Sequence, residues 1–299
     1  MTQDVVIAGY QGPRSILTGG LTAFAEASLP SATLIPDVTA QSASAQSLFD
    51  GIETGTYAAG YMASGYLTSR VPELGVLDLP FSVSDRDRAH SRLDGEAGER
   101  LAEAVSRTTN LTVLAFWDNG FRHVTNGVRP IRSPDDCRGL KVRTLNNQLY
   151  QDTMAAIGFD PVVTDVKELI EACKTGRVDA QENPLTNMLT FGLDQWHGHV
   201  SLTSHIFGVV LLVANKDWFR ALGDSDRTLV FEGAHKSAVL QRSLAAEEDS
   251  SGLALLAERG VSVLGPDQID LEAFRLATDS VRNRSAAAIP TDLLRKYLH

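Results

Sequence analysis

The chain reads as the same five-element series twice, and this repetition limits the folds open to it more than any other feature. Periodicity predicts a strand over Val5 to Gly9, a helix over Ser15 to Ser28, a strand over Thr33 to Pro36, a helix over Ser44 to Thr54 and a strand from Tyr57. A second series begins at Leu140: strand Leu140 to Thr144, helix Gln148 to Ile157, strand Pro161 to Val163, helix Val166 to Thr175, and a strand from Val178. Leu48 to Met62 (LFDGIETGTYAAGYM) lies without a gap against Leu169 to Asn183 (LIEACKTGRVDAQEN), and both helices stop at Thr-Gly. The identity is low, so two independent helix-glycine-strand units would also look this much alike. Gly55 and Gly176 each suit the left-handed conformation that ends a helix. Strands alternating with helices imply mostly parallel sheets, whose ligands sit beyond the carboxyl ends of the strands. Two such units facing each other form a cleft.

Caps sharpen the second series: Asp165 with Glu168 opens one helix, and Ser133-Pro134-Asp135-Asp136 has the form of a helix start. The last third differs. Ser225 to Arg259 lacks proline and is rich in Ala, Leu and Glu, so it forms either one long helix or two broken near Ser250-Ser251-Gly252. Unbroken, it would run roughly 50 Å and brace both halves.

Size and charge narrow the function. With 299 residues and 43% hydrophobic content the chain can bury two lobes, and a formal charge of -10 argues against a nucleic-acid backbone or an anionic membrane surface as partner. Ile206 to Ala214 is far too short to span a bilayer and reads as a buried strand. The strand pattern begins almost at once, at Val5 and Ile7, with no secretory leader ahead of it; a mature chain would look the same, so the compartment is not readable from these residues. Cys137 and Cys173 stand where helices want apolar residues and are expected as buried free thiols, since no CxxC or Cys/His spacing accompanies them.

Chemistry concentrates between Phe121 and Thr144, where Arg122, Arg129, Arg132, Arg138, Lys141 and Arg143 gather in an otherwise acidic chain. Arg129, Arg132 and Arg138 fall in a proline-punctuated connection and read as a solvated basic face. Arg143 ends the strand Leu140-Lys141-Val142-Arg143, where a parallel sheet presents ligand contacts, and a planar guanidinium takes both oxygens of a carboxylate at once. A structural ion pair is the alternative for it. Glu182-Asn183-Pro184 ends the matching strand; Asn183 offers a donor and an acceptor, and Glu182 could pair with an arginine. There is no GxSxG elbow, HExxH, Walker loop or GxGxxG after the first strand, where Gly9-Tyr10-Gln11-Gly12-Pro13 stands instead. His197-Gly198-His199 lacks a third metal ligand nearby and reads as a polar loop. Trp117, Tyr10, Tyr61, Tyr66 and Phe207 are core residues or, where they fall at strand ends, cleft residues.

Several short stretches, in order, resemble the solute-binding proteins of TRAP (tripartite ATP-independent periplasmic) transporters, the DctP-type family. They are Gly120-Phe121-Arg122, Arg129-Pro130-Ile131, the run from Asp136 to Arg143, Gly158, the run from Thr175 to Pro184, and Thr203-Ser204-His205, with weaker agreement at Glu53-Thr54-Gly55, Leu79-Pro80-Phe81 and Asn215 to Trp218. The resemblance implies an α/β, two-lobed periplasmic-binding-protein-like fold with a ligand cleft between lobes and a long bracing helix. Expected boundaries are 1–119 plus 209–248 for lobe I and 120–208 plus 249–299 for lobe II, with cleft and hinge between them. It implies a periplasmic monomer without catalysis, cofactor or metal, which hands a small organic acid to membrane permease subunits. Arg143 then takes the carboxylate, joined by Arg122 and Asn183. Tyr10 and Gln11 after the first strand, Tyr61-Met62 at the end of its partner, and Phe207 complete the expected ligand wall. Because Tyr61-Met62 stands where family members often meet a hydroxylated ligand with polar or acidic residues, an apolar or aromatic monocarboxylate is expected. A sugar acid, a dicarboxylate or a role as a ligand-sensing domain are the alternatives.

Overall fold

The computed structural model describes residues 5–41 and 43–299, so residues 1–4 of the expected first lobe lie outside the described residues. The first series appears as β1 (Val6–Ala8), α1 (Ile16–Ser28), β2 (Thr33–Ile35), α2 (Ala45–Glu53) and β3 (Ala59–Ala63). Capping sets the helix starts, as anticipated from the hydroxyl residues: the Ser15 hydroxyl accepts from the Leu17 amide, and Ser44 and Ser47 form a reciprocal box. After a 3-10 segment over Pro72–Asp78 come α3 (Arg86–Leu93), α4 (Glu96–Thr108) and the long strand β4 (Leu111–Asn126).

The second series follows as β5 (Lys141–Thr144), α5 (Gln148–Ala156), β6 (Asp160–Val163), α6 (Val166–Lys174) and β7 (Ala180–Pro184), then α7 (Leu185–Thr190). Gly55 and Gly176 take φ of +82° and +68°, so both halves leave their second helix through the same left-handed turn. The helix expected at Ser133 is a single turn, Pro134–Cys137. Gly139, at φ +76°, turns the chain straight into β5 before a second turn can form.

The chain returns through a second long strand, β8 (His199–Asn215), then α8 (Lys216–Ala221), α9 (Asp224–Glu258), β9 (Ser262–Leu264), α10 (Leu271–Ala286) and α11 (Thr291–Leu298). Strand order β2-β1-β3-β8-β4-β7-β5-β6, with β9 on β8, makes one continuous sheet. Each half contributes a parallel triplet, and the antiparallel pair β4/β8 joins them. Along that pair Gly120 faces Gly208, the register shifts between Asp118 and Gly120, and Gly120 takes φ +87°. A side chain at this φ would be strained.

Apolar residues segregate on either side of that point. One core gathers Ile7, Leu21, Phe24, Phe49, Trp117 and Leu211; two others, around Val142, Met154 and Phe274 and around Leu169, Met188 and Leu256, belong to the second half. α9 is one unbroken helix of 35 residues. Its buried face is built of small side chains, Gly233, Ala234, Ser237, Ala238 and Ala245, which lets α1 approach closely: a Cβ on Gly233 would lie 2.7 Å from that of Ser28. Leu256, farther along, enters the second-half core, so α9 serves both halves. α11 packs back on the first core through Leu293 and Tyr297. Among the described residues no helix is long and apolar enough to cross a membrane, and both cysteines are buried free thiols.

Candidate functional site

The carboxyl ends of β5 and β7 face the segment after β3, and there the ionisable side chains of the two halves meet. Arg143, the third residue of β5, is 2% exposed. Its Nε donates to the Thr164 carbonyl at 2.8 Å, which fixes the guanidinium plane. Its Nη2 is buried and has no hydrogen-bond partner among the described residues. A buried donor left unpaired costs about 1–3 kcal/mol, more when charged, so this group has an open donor for an acceptor. Tyr66, in the turn after β3, stands beside it: burial raises the phenol pKa, and the Arg143 guanidinium pulls it back down. The Tyr66 ring also packs edge-on to Tyr10, with centroids 6.1 Å apart.

Arg122 has a different environment. Its Nε donates to Glu182 Oε2 at 2.6 Å, and its Nη2 reaches Glu182 Oε1 at 2.8 Å, the Glu182 carbonyl at 2.7 Å and Asn183 Oδ1 at 3.0 Å. Burial alone would raise the Glu182 carboxyl, but Arg122 and His205, whose Nε2 lies 3.3 Å away, hold it below the usual carboxylate range. Arg122 is therefore neutralised within the protein. It also lies 5.1 Å over the Tyr150 ring, within cation–π range. Asn183 is equally committed: its Oδ1 also accepts from Asn187, and its Nδ2 donates to Gln181 at 2.6 Å.

Other expected ligand residues separate into two groups. Tyr10 and Gln11 line a groove of about 290 Å³ whose opposite wall is Val166, Lys167, Ile170, Thr190 and Phe191 of the second half. Tyr61, Met62 and Phe207, which share the first core with Tyr10, line no part of that groove and are 0%, 0% and 1% exposed. The Tyr61 hydroxyl is 3.0 Å from that of Thr18 and accepts from the Gln11 amide at 3.3 Å, while Phe207 packs on Phe121 and His90. In a strand flanked on both sides, alternate residues reach two packed faces, which sequence position alone does not distinguish from a cleft wall.

Two further contributors join the halves. Asn147, the cap of α5, donates from Nδ2 to the Gly65 carbonyl at 2.9 Å, and its role as a cap was its only sequence signal. The Tyr150 hydroxyl donates to Asp78 Oδ1 at 3.1 Å; Asp78 also accepts from Ser64 and Thr68. Burial pushes the Asp78 carboxyl up to about 6 against the pull of Tyr150, Thr68 and Arg122. Nothing in the local pattern around either residue marks this pairing, because it joins positions 72 residues apart. His197 is held by the Thr125 hydroxyl at 3.0 Å, and burial lowers its pKa to about 4. Among the described residues no group of three or more His, Cys, Asp or Glu is placed to hold a metal.

Comparison with known proteins gives the family. Residues 33–288 match the family model described as bacterial extracellular solute-binding protein, family 7. The 2,3-diketo-L-gulonate-binding periplasmic protein of Escherichia coli is 31% identical over 265 residues, covering 88% of this chain and 79% of that one. Among solved structures, a TRAP periplasmic solute-binding protein from a Polaromonas species bound to D-erythronate superposes with a TM-score of 0.93 at 27% identity, covering 99% of this chain and 98% of that one. Another from Roseobacter denitrificans, with bound β-D-glucuronate, gives 0.92 at 28% identity over 99% of both chains. This chain therefore belongs to bacterial extracellular solute-binding protein family 7, the periplasmic solute-binding proteins of TRAP transporters, which bind organic acids and are not enzymes.

Proposed function

We propose that this protein is the receptor for a small hydroxylated monocarboxylic acid, of the sugar-acid kind, whose carboxylate docks on Arg143 in the cleft. The observation that carries the reading is the buried Arg143 Nη2 with no partner among the described residues. Charge balance favours one carboxylate over two: Arg122 is neutralised by Glu182, and the nearby Asp78 adds no positive charge. Hydroxyl groups on the ligand are compatible with the Tyr66 phenol, which stands beside Arg143. The expectation of an aromatic acid rested on Tyr61 and Met62 as cleft surface, and both are enclosed in the first core. Relatives bound to D-erythronate and β-D-glucuronate support the hydroxylated class.

In this reading Arg143 clamps the carboxylate, Arg122 and Asn183 hold its surroundings in place, and Tyr10 with Gln11 closes over the body. The lobes are 1–119 with 209–248, and 120–208 with 249–299 except that α11 returns to the first; they hinge where Gly120 faces Gly208. The loaded protein delivers its acid to the permease subunits of a TRAP transporter. Calorimetry with D-glucuronate, D-erythronate, succinate and phenylacetate tests the proposal. Tightest binding by one of the first two is expected, together with a loss of about 2–5 kcal/mol, some thirty-fold or more, for Arg143→Ala. Preference for phenylacetate would overturn the ligand class, and undiminished binding by a folded Arg143→Ala would overturn the clamp.

A further inference from the structure

Away from the cleft, a buried charged cluster sits where the chain passes between lobes. Asp118 is fully buried on β4, and its Oδ1 accepts from the Gly120 amide at 2.5 Å. Gln241 of α9 clamps the Asp118 backbone, accepting from its amide at 2.8 Å and donating to its carbonyl at 2.6 Å. Asp118 Oδ2 faces α3, with Arg86 Nε at 3.1 Å and His90 Nε2 at 3.0 Å. The other end of the Arg86 guanidinium, Nη2, donates to Asp249 of α9. That carboxylate lies against the glycine hinge: a Cβ on Gly120 would stand 3.4 Å from both of its oxygens and 3.1 Å from the Cβ of Pro184.

Asp249 marks the place where α9 changes lobe. Before it, Ala234 and Ala238 pack in the first core; after it, Gly252 lies under Leu189 of α7 and Leu256 enters the second. α3, which carries Arg86, is anchored in the first core by Ala89 and Leu93. One guanidinium thus hydrogen-bonds Asp249 and stands in ion-pair contact with Asp118, whose Oδ2 has no hydrogen bond among the described residues. The cluster is short of positive charge. Asp249 Oδ1 and the neighbouring Glu248 Oε2 are buried without partners among the described residues, and burial and Asp249 together push the Glu248 carboxyl up to about 7. A lost Arg86 would leave Asp118, at 0% exposure, without its strongest counter-charge, and removing one member of a buried pair costs far more than the pair contributes.

We infer that Arg86 is a positioning residue for lobe closure, forked between Asp118 and Asp249 so as to hold the closed arrangement and slow ligand release without touching the ligand. The inference rests on the two-lobe receptor reading above. Lysine is a poor substitute, because a point charge cannot serve two carboxylates in fixed directions as a planar fork does.

Electron-electron resonance distances between nitroxides attached through Asp50→Cys on α2 and Glu171→Cys on α6, both exposed, read the lobe arrangement with no ligand present. Arg86→Met and Asp249→Asn should each shift the distribution to longer distances, with Arg86→Lys between them and the parent. Stopped-flow with D-glucuronate should give a dissociation rate raised roughly tenfold in both, at nearly unchanged association rate, and a non-additive double variant. Asp249→Asn keeps the Arg86–Asp118 contact, so it guards against simple misfolding of the arginine variant. Parent-like distances in both variants would overturn the inference, as would opening in Arg86→Met alone. Failure of the parent to bind D-glucuronate would count against the proposed ligand class, while the distances would still decide the role of Arg86.

Discussion

Arg143 and Arg122 are the same residue type 21 positions apart, both nearly fully buried, and their surroundings pair them differently. Arg122 is closed into a network with Glu182, Asn183 and His205, whereas Arg143 keeps an unpaired donor. The sequence shows that Arg143 stands at a strand end, but not which arginine Glu182 would capture. Asp78 yields a residue-level prediction. Burial pushes its folded pKa up to about 6, well above the ordinary aspartate value, so the folded protein holds the proton more tightly than the unfolded chain. The resulting stabilisation is full below the unfolded pKa and is lost as pH rises through about 6. Asp78→Asn should remove this dependence: relative to the parent it should gain up to about 3 kcal/mol between pH 4 and pH 7, measured by urea denaturation across that range. An unchanged difference between the two proteins over that interval would show that Asp78 does not titrate abnormally.

At the level of elements, the parallel strands of the first lobe meet at unusually short range. A Cβ on Gly60 of β3 would lie 2.4 Å from the Ala8 carbonyl oxygen of β1, a backbone atom that cannot turn aside. Gly60→Ala should therefore destabilise the protein by roughly 3 kcal/mol through overpacking, read as a lower urea midpoint at unchanged slope. A shift below about 0.5 kcal/mol would mean that β1 and β3 separate freely. α9 shows what composition can and cannot convey. Absence of proline and abundant Ala, Leu and Glu make a helix legible over Ser225 to Arg259, while its continuity through Ser250-Ser251-Gly252 depends on packing: Gly252 fits beneath Leu189, and both serine hydroxyls fold back onto the Glu247 carbonyl.

Across the full chain, the proposed two-lobe receptor makes ligand binding and lobe closure one equilibrium, because a ligand held by both lobes would stabilise the arrangement in which it touches both. The melting temperature should rise with ligand concentration, corresponding to about 2.7 kcal/mol at a hundredfold excess over Kd, and small-angle scattering should show compaction at saturation. A melting shift without compaction would place the ligand in one lobe alone. The interlobe contacts Asn147 to Gly65, Tyr150 to Asp78 and Arg86 to Asp249 are those expected to strengthen on closure.

Local chemistry was enough to place the repeated strands and helices, their left-handed glycine exits, a helix over Ser225 to Arg259 and Arg143 at a strand end, because each depends on neighbours a few residues away. The same local view left Tyr61 and Phe207 as core or cleft residues and read Ser133-Pro134-Asp135-Asp136 as a helix start, which is a single turn. Whether a strand-end side chain faces ligand or core depends on which sheet face a distant helix covers, and α1 and α9 cover the face behind Tyr61 and Trp117. The pairing of Arg122 with Glu182, of Tyr150 with Asp78 and of Arg86 with residues 32 and 163 positions away arises only when the folded chain brings remote charges into a medium where none can stay unpaired at low cost.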